Sequence, residues 1–325
     1  MTRFLERAAH ALCLIAACLA GATAANAQGY PDRPIRIFLG FAPGGPVDGT
    51  ARIAAKILSD GLGQPVTVEN RAGAGGAIAS AAVAKSAPDG YTLLVNATSD
   101  IINPIVNKDV GYSIEKDFVP IGLIASAPNV LVVHPSIPVN SVAELVAYAR
   151  THPVSYGSAG VNTVSHLSGA LLSVTSGAPM THVPYKGTGA AQIDLLTGRI
   201  PMMFDGMVTG MANAKLGKVR AIAVTSTDRW PGAPELPTVA EGGYPGYSLL
   251  AIFGLMAPAG TPPAVVAKIS AALQAGLRNP SVREQIAAVG AEPGKMGPAE
   301  YGKYLSGETA RWTKLAAEGQ LRKDE

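Results

Sequence analysis

Short apolar runs alternate with helical stripes through most of this chain, and glycine–proline loops join them. Ile35–Leu39 predicts a strand, followed by the loop Phe41–Asp48 (FAPGGPVD). Over Thr50–Ser59 the residues Ala51, Ile53, Ala54, Ile57 and Leu58 share one stripe, with Arg52 and Lys56 outside it, which is the helical period. Pro65–Glu69 predicts the next strand, Arg71–Gly76 a turn into a small-residue helix running to Lys85, and Tyr91–Val95 a third strand. Strands separated by single helices imply a parallel sheet covered on both faces, hence an α/β class.

Beyond a polar segment from Asn96 to Lys116 the pattern resumes. Val130–Val133 predicts a strand and Val142–Arg150 a helix with Val142, Leu145, Val146 and Ala149 buried. Strand Val154–Tyr156, loop Gly157–Asn162 and a helix over Ser165–Thr175 come next, then strand Thr181–Val183, helix Ala190–Thr197 and strands Ile200–Phe204 and Val219–Thr225. Phe253–Met256 predicts another strand, and Pro262-Pro263 opens three C-terminal helices. The last helix carries Tyr301, Tyr304, Leu305, Trp312 and Leu315 at three-to-four spacing, a stripe suited to docking on the body. The chain thus reads as two α/β units with a helical tail, and its 325 residues exceed what one hydrophobic core usually serves.

The N-terminus differs in kind. Arg3 and Arg7 precede an apolar run from Ala8 to Ala20, then Ala25-Asn26-Ala27, the layout of a signal peptide (residues 1–27) cleaved after Ala27. This predicts export to the periplasm as a soluble protein. A lipoprotein form anchored at Cys18, within Ile15-Ala16-Ala17-Cys18, is the alternative. Cys13 and Cys18 both lie in this segment, so a chain cut at Ala27 has no disulfide, thiolate nucleophile or cysteine metal site.

Composition narrows the chemistry. Lys plus Arg number 26 against 23 Asp plus Glu, a balance that argues against a nucleic-acid partner. Among five histidines there is no H-E-x-x-H and no i, i+4 pair, so no metal site is expected. No G-x-S-x-G elbow occurs, although Asp48, His166 and Ser158 would suffice for a hydrolase triad if they met. Arg71-Ala72-Gly73-Ala74-Gly75-Gly76 has poor spacing for a dinucleotide loop, so no cofactor is expected.

Two strand-to-helix loops stand out. A helix start offers unpaired N–H groups and about half a positive charge. In the first loop Gly44 and Gly45 permit close backbone approach, and Asp48 is placed to cap a helix beginning near Gly49; a tight turn plus cap is the plainer reading. In the second, Ser158, Ala159, Gly160, Asn162, Thr163, Ser165 and His166 combine hydroxyls, glycine and a helix start. Thr163 or Ser165 would cap. His166 in a first turn is favoured as a neutral hydrogen-bonding group, or is simply a packed histidine. Asp205 and Lys186-Gly187 lie at strand ends where a cleft would open; each would serve equally as interlobe contact or loop anchor. Facing a cleft, Asp205 would discriminate amino acids from plain carboxylic acids.

An ordered series of motifs resembles the periplasmic solute-binding receptors of tripartite tricarboxylate transporters, the Bug proteins. The series includes YPDRPIRIFLGFAPGGPVDGTAR from Tyr30, GQPVTVENR at 63–71, PDGYTLL at 88–94, DFVP at 117–120, HVPYKG at 182–187, AVTS at 223–226, LPTVAEGGYPGY at 236–247 and LMAPAGTP at 255–262. The resemblance implies a type II periplasmic-binding-protein-like fold with a ligand cleft between two lobes, 28–126 with 252–325 and 127–251. It implies a non-enzymatic, monomeric receptor that closes on a small carboxylate and delivers it to small and large membrane subunits. A receptor docking on a membrane sensor kinase, or a hydrolase in the same cleft, are the alternatives. Carried onto this chain, the ligand would meet Phe41, Ala42, Pro43, Gly44, Gly45, Asp48 and Gly49 on one side. Ser158 to Thr163 with Ser165 and His166 would face them, Ala97, Thr98 and Ser99 would form the floor, and Asp205 would stand across the cleft. Two positions depart from the family pattern: Pro46-Val47 replace the usual hydroxyl pair, removing two hydroxyls and one backbone N–H, and Asn162 stands where glycine is commoner.

Overall fold

A computed structural model describes residues 29–317. The signal-peptide reading, with its cleavage at Ala27 and the Cys18 alternative, lies outside the described residues. Among those described, no helix is long and apolar enough to cross a membrane.

The first half runs β1 (Ile35–Leu39), α1 (Pro46–Leu62), β2 (Val66–Asn70), α2 (Ala77–Ala84), β3 (Thr92–Ala97) and α3 (Thr98–Val106). The long strand β4 (Phe118–Val133) leads into α4 (Val142–Ala149), β5 (Val154–Ser158), α5 (Val164–Ser176), β6 (Met180–Pro184) and α6 (Thr188–Leu196). Then come β7 (Met202–Gly206), α7 (Met207–Lys215), β8 (Arg220–Val224) and β9 (Leu250–Pro258). The chain closes with α8 (Pro263–Leu277), α9 (Pro280–Ala288), β10 (Glu292–Pro293) and α10 (Pro298–Ala317).

Three elements differ from the pattern reading. Helix α1 begins at Pro46 rather than near Gly49, because proline at the first helical position has its φ already set and needs no N–H partner. The polar segment after Asn96 contains α3, whose Ile101 and Ile102 are buried while Asp100 reaches back to the Ala97 N–H at 2.7 Å. Strand β4 starts at Phe118, twelve residues before the expected Val130. Pro120, Gly122 and Pro128 disguise it, and the register shifts between Pro120 and Gly122 and between Leu123 and Ala125 absorb the irregularity as bulges.

Strand β1 pairs parallel with β2 and β3, and β5 pairs parallel with β6 and β7. Between these sets β9 runs antiparallel to both β3 and β4, and β4 runs antiparallel to β7 and β8. Strand β4 therefore serves both lobes. Its pairing with β9 ends at Pro128 opposite Leu250, and its pairing with β7 begins at Asn129 opposite Gly206. The expected lobe boundaries fall in β4 and β9 beside this crossing.

Buried Thr225 ties the crossing together. Its N–H donates to the Asn129 carbonyl (3.0 Å) and its hydroxyl to the Leu249 carbonyl (2.6 Å). It accepts in return from the Asn129 N–H at its hydroxyl (2.8 Å) and from the Leu249 N–H at its carbonyl (2.8 Å). Separate cores flank the crossing, one including Ile37, Leu58, Leu93 and Leu255, the other Leu131, Leu145, Tyr156 and Phe204.

Helix α10 spans both. Tyr301 donates to Asn96 Oδ1 (3.0 Å) on β3, whereas Arg311 donates to the Ser248 carbonyl (2.7 Å) just before β9. Trp312 is buried with Ile102 of α3, Leu167 of α5 and Leu249. Deleting an indole from such a junction costs about 3–5 kcal/mol. Trp312→Ala is accordingly expected to lower the urea midpoint strongly with little change in the denaturant slope; a shift equivalent to under about 1 kcal/mol would show that the junction carries no stability.

Candidate functional site

In a parallel sheet every strand ends on the same edge, so helices that follow the strands also start there. Helices α1, α3, α5, α6 and α7 follow β1, β3, β5, β6 and β7 in this way. Their flanking residues Gly45, Ala97, Thr163, Gly187 and Gly206 all line one cavity of about 770 Å³. Among the described residues, no side chain lining this cavity carries a charge.

The first loop is built by a carboxylate that points away from the cavity. Asp48 sits in the first turn of α1 and receives Arg52 through Nε and Nη2 (2.9 and 3.1 Å), Asn70 Nδ2 (2.9 Å) and the Gly44 N–H (3.0 Å). Asn70 also donates to the Phe41 carbonyl at 3.0 Å. Asp48 thus clamps the loop instead of capping the helix as the sequence suggested: the helix starts too early for it to stand at the cap. The Arg52 guanidinium, helped by Gly44 and Asn70, outweighs burial and holds the Asp48 carboxyl down at about 2. Gly44 has φ +87°, open only to residues that tolerate the left-handed region. Behind the loop, a Cβ on Gly40 would lie 2.1 Å from the Gly76 Cα, so the glycine cluster at 73–76 is a packing surface.

At the start of α3, Asp100 accepts from the Ala97 N–H and from Ser80 Oγ, each at 2.7 Å. Burial pushes its pKa up, to about 6, against the pull of those two bonds. The Thr98 hydroxyl is spent on β9, donating to the Leu250 carbonyl and accepting from the Ile252 N–H, both at 3.1 Å. The next hydroxyl, Ser99 Oγ, is buried and has no protein partner.

Across the cavity, Thr163 caps α5. Its hydroxyl accepts from the His166 N–H (3.4 Å) and donates to the Gly160 carbonyl (2.7 Å). Ser165 Oγ accepts from the Ala159 N–H and lies 3.0 Å from Thr163 Oγ1. His166 Nδ1 accepts from the Asn162 N–H (3.1 Å) and therefore carries no proton of its own; the ring stacks on His182 with centroids 4.0 Å apart. Ser158 Oγ lies 2.6 Å from His182 Nε2.

Of the residues expected at the ligand, Phe41 to Gly45, Ala97 to Ser99, Ala159, Gly160, Thr163 and Ser165 line the cavity. Asp48, Gly49, Ser158, Asn162, His166 and Asp205 are not among its lining. Asp205 is buried; its oxygens accept from Gln192 Nε2 (2.8 Å), the Gly206 N–H (2.8 Å) and Thr209 Oγ1 (3.0 Å), and burial pushes its pKa up. It anchors the β7–α7 turn. The conceivable triad does not form, since Asp48 is engaged by Arg52 and Ser158 by His182. Among the described residues no group of acids and histidines is arranged for a metal.

Sequence reasoning placed Gly187 at a strand end beside the cleft without naming it as a ligand contact, and it missed Thr188 at the α6 start, the α7 start (Gly206, Met207), Asn129 on β4, and Val289-Gly290 beyond α9. Signals existed for three of these: Gly187 and Asp205 at strand ends, and an isolated asparagine before the apolar run Val130–Val133. Val289-Gly290 arrive from a distant part of the chain with no local mark.

With this geometry in view, comparison with known proteins is specific. The family described as the tripartite tricarboxylate transporter family receptor matches residues 50–321. BugT of Bordetella pertussis is 36% identical over 297 residues, covering 90% of this chain and 91% of its own. A Rhodopseudomonas palustris protein solved with adipate superposes with a TM-score of 0.79 at 37% identity, covering 89% of this chain and 97% of that one. MatC from the same organism, solved with bound malate, gives 0.77 at 33% identity, covering 88% and 99%. The chain belongs to the receptor family of the tripartite tricarboxylate transporters. It is a two-lobed, type II periplasmic solute-binding receptor, a non-catalytic protein that hands its solute to membrane subunits.

The Asp48 clamp predicts a pH signature. A carboxyl held below its unfolded value contributes stability that is complete above about pH 4 and fades as pH falls towards 2. Asp48→Asn should lower the melting temperature at pH 7, and the gap to the native protein should narrow between pH 4 and pH 2. An unchanged gap across that window would remove the carboxylate from the stabilising role.

Proposed function

We propose that the cavity binds a small organic carboxylate, gripped between lobes formed by 28–126 with 252–325 and by 127–251. One observation carries this reading: five helix starts from both lobes face a space lined by neutral groups. First-turn N–H groups have no intrahelical partner, and the helix dipole favours a negative charge beside them. The unpartnered Ser99 hydroxyl adds a donor at the α3 start. The adipate and malate carried by relatives sharing a third of their residues support the same class of solute.

On the first-loop side the solute meets Gly44, Gly45 and the α1 start, where Pro46 removes one N–H and the Val47 side chain offers only methyls. On the second-lobe side it meets the α5 start at Thr163 and Ser165, with the α6 and α7 starts beside it. Ligand made fast to both lobes shifts the receptor towards its closed form. Moving a 1:99 equilibrium to 99:1 takes about 5.5 kcal/mol of differential affinity. A hydrogen bond to a charged group contributes about 1.5–3 kcal/mol, so two to four bonds made only on closure suffice. Contacts to one lobe alone bind both forms equally and close nothing.

Calorimetric titration with dicarboxylic and monocarboxylic acids and their methyl esters tests this. Acids should bind and the neutral esters should not. Ser99→Ala should weaken the bound acid about tenfold or more, the loss of one charge-assisted bond. Esters binding as tightly as acids, or acids indifferent to both Ser99→Ala and Thr163→Ala, would refute the assignment.

A further inference from the structure

The chemistry around Asn129 goes one step past the carboxylate, and the inference rests on the proposed reading of the cavity. Asn129 lines the cavity at the crossing of β4, is 8% exposed, and is held on three sides. Its N–H and carbonyl are taken by Thr225, and its side-chain Nδ2 donates to the Phe204 carbonyl at 3.2 Å. A carbonyl accepts and never donates, so this bond fixes which way the amide is turned. The Oδ1 atom is left as an acceptor with no protein donor, and the residue's remaining exposure opens onto the cavity. As an accessible acceptor on the cavity wall, it is filled by the solute or by a water.

The donor best suited to it is neutral. An ammonium group brought into the cavity would need a facing carboxylate, and no lining side chain is acidic. Asp205, the nearest acid in sequence to the Phe204 carbonyl, is buried with both oxygens occupied by Gln192, Gly206 and Thr209. A second carboxylate on the solute would meet Oδ1 as a fellow acceptor. A hydroxyl donates to Oδ1 and brings no charge needing a counter-ion.

We infer that Asn129 is a specificity-determining residue and that the receptor selects hydroxy acids, the hydroxyl donating to Asn129 Oδ1 while helix starts hold the carboxylate. Sites that hydrogen-bond a substrate hydroxyl reject analogues lacking it far more strongly than apolar sites reject an extra group.

The test is a thermal-shift and calorimetric panel of matched trios: each acid as its deoxy, hydroxy and amino form. Suitable trios are butanoate with 3-hydroxybutanoate and 3-aminobutanoate, and phenylacetate with mandelate and phenylglycine. In every trio that binds, the hydroxy acid should be at least tenfold tighter than the other two. Asn129→Ala keeps the backbone bonds to Thr225 and should collapse that ratio to about one. Ser99→Ala should weaken hydroxy and deoxy acids alike and preserve the ratio. Equal binding of hydroxy and deoxy acids by the native protein overturns this inference and leaves the carboxylate reading intact. So does a ratio that survives Asn129→Ala in a variant that still melts cooperatively. Binding of no acid at all would instead overturn the carboxylate reading on which it rests.

Discussion

Everything in the cleft depends on one buried hydroxyl residue at the point where two strands change lobes. Thr225 bonds Asn129 and Leu249 through both its backbone and its side chain, at the place where β4 leaves β9 for β7. Because β9 and β4 run antiparallel to the sheets they enter, the parallel strands on either side end at the same crevice. Two sheets joined in this way present their carboxyl edges to each other, and the helix starts follow. Helix α10 binds both sides of the crossing, through Tyr301, Arg311 and the Trp312 junction.

Those loops are set by acids that turn away from the ligand space. Asp48 clamps the first loop, Asp100 holds the α3 start and Asp205 the α7 turn, each at or beside a helix N-terminus. Three carboxylates around an anion site would defeat it if their charge faced inward. Arg52 neutralises Asp48, and burial raises Asp100 and Asp205 towards the uncharged form. The field left in the cavity is that of the helix starts. This division explains why Asp48 and Asp205 looked like ligand groups from the sequence: both stand at strand ends beside glycine, which is where a loop anchor and a ligand group are both needed.

The legible parts of this molecule were those written in local pattern. The strands Ile35–Leu39 and Val154–Ser158 flank periodic helices, so their positions followed from spacing, although the second runs two residues past the expected end at Tyr156. The loops around Gly44 and Gly160 were legible because glycine beside a helix start is itself a local signal. What escaped was non-local. Most of β4 hides behind Pro120 and Pro128, tolerated because bulges and the lobe crossing absorb them. Helix α3 is only nine residues long and starts in polar sequence, because Asp100 serves its own N-terminus. Whether Asp48 or Asn129 faces the cavity is decided by which partner claims each polar atom, and Arg52, Asn70 and Phe204 make that decision in three dimensions.

A neutral cleft also suits a protein that must let go. A receptor that gripped its solute with buried arginine would leave that cation unpaired on release, and an uncompensated buried charge is costly. Helix starts carry only partial charge, and water satisfies their N–H groups as soon as the lobes part. Asn129 and Ser99 line the same cavity, and a water can serve either side chain when the crevice is open. Affinity is then concentrated in the closed form, where water is excluded and each dipole counts for more, and it falls away as the crevice opens. If binding depends on both lobes, as proposed, release needs nothing more than their separation.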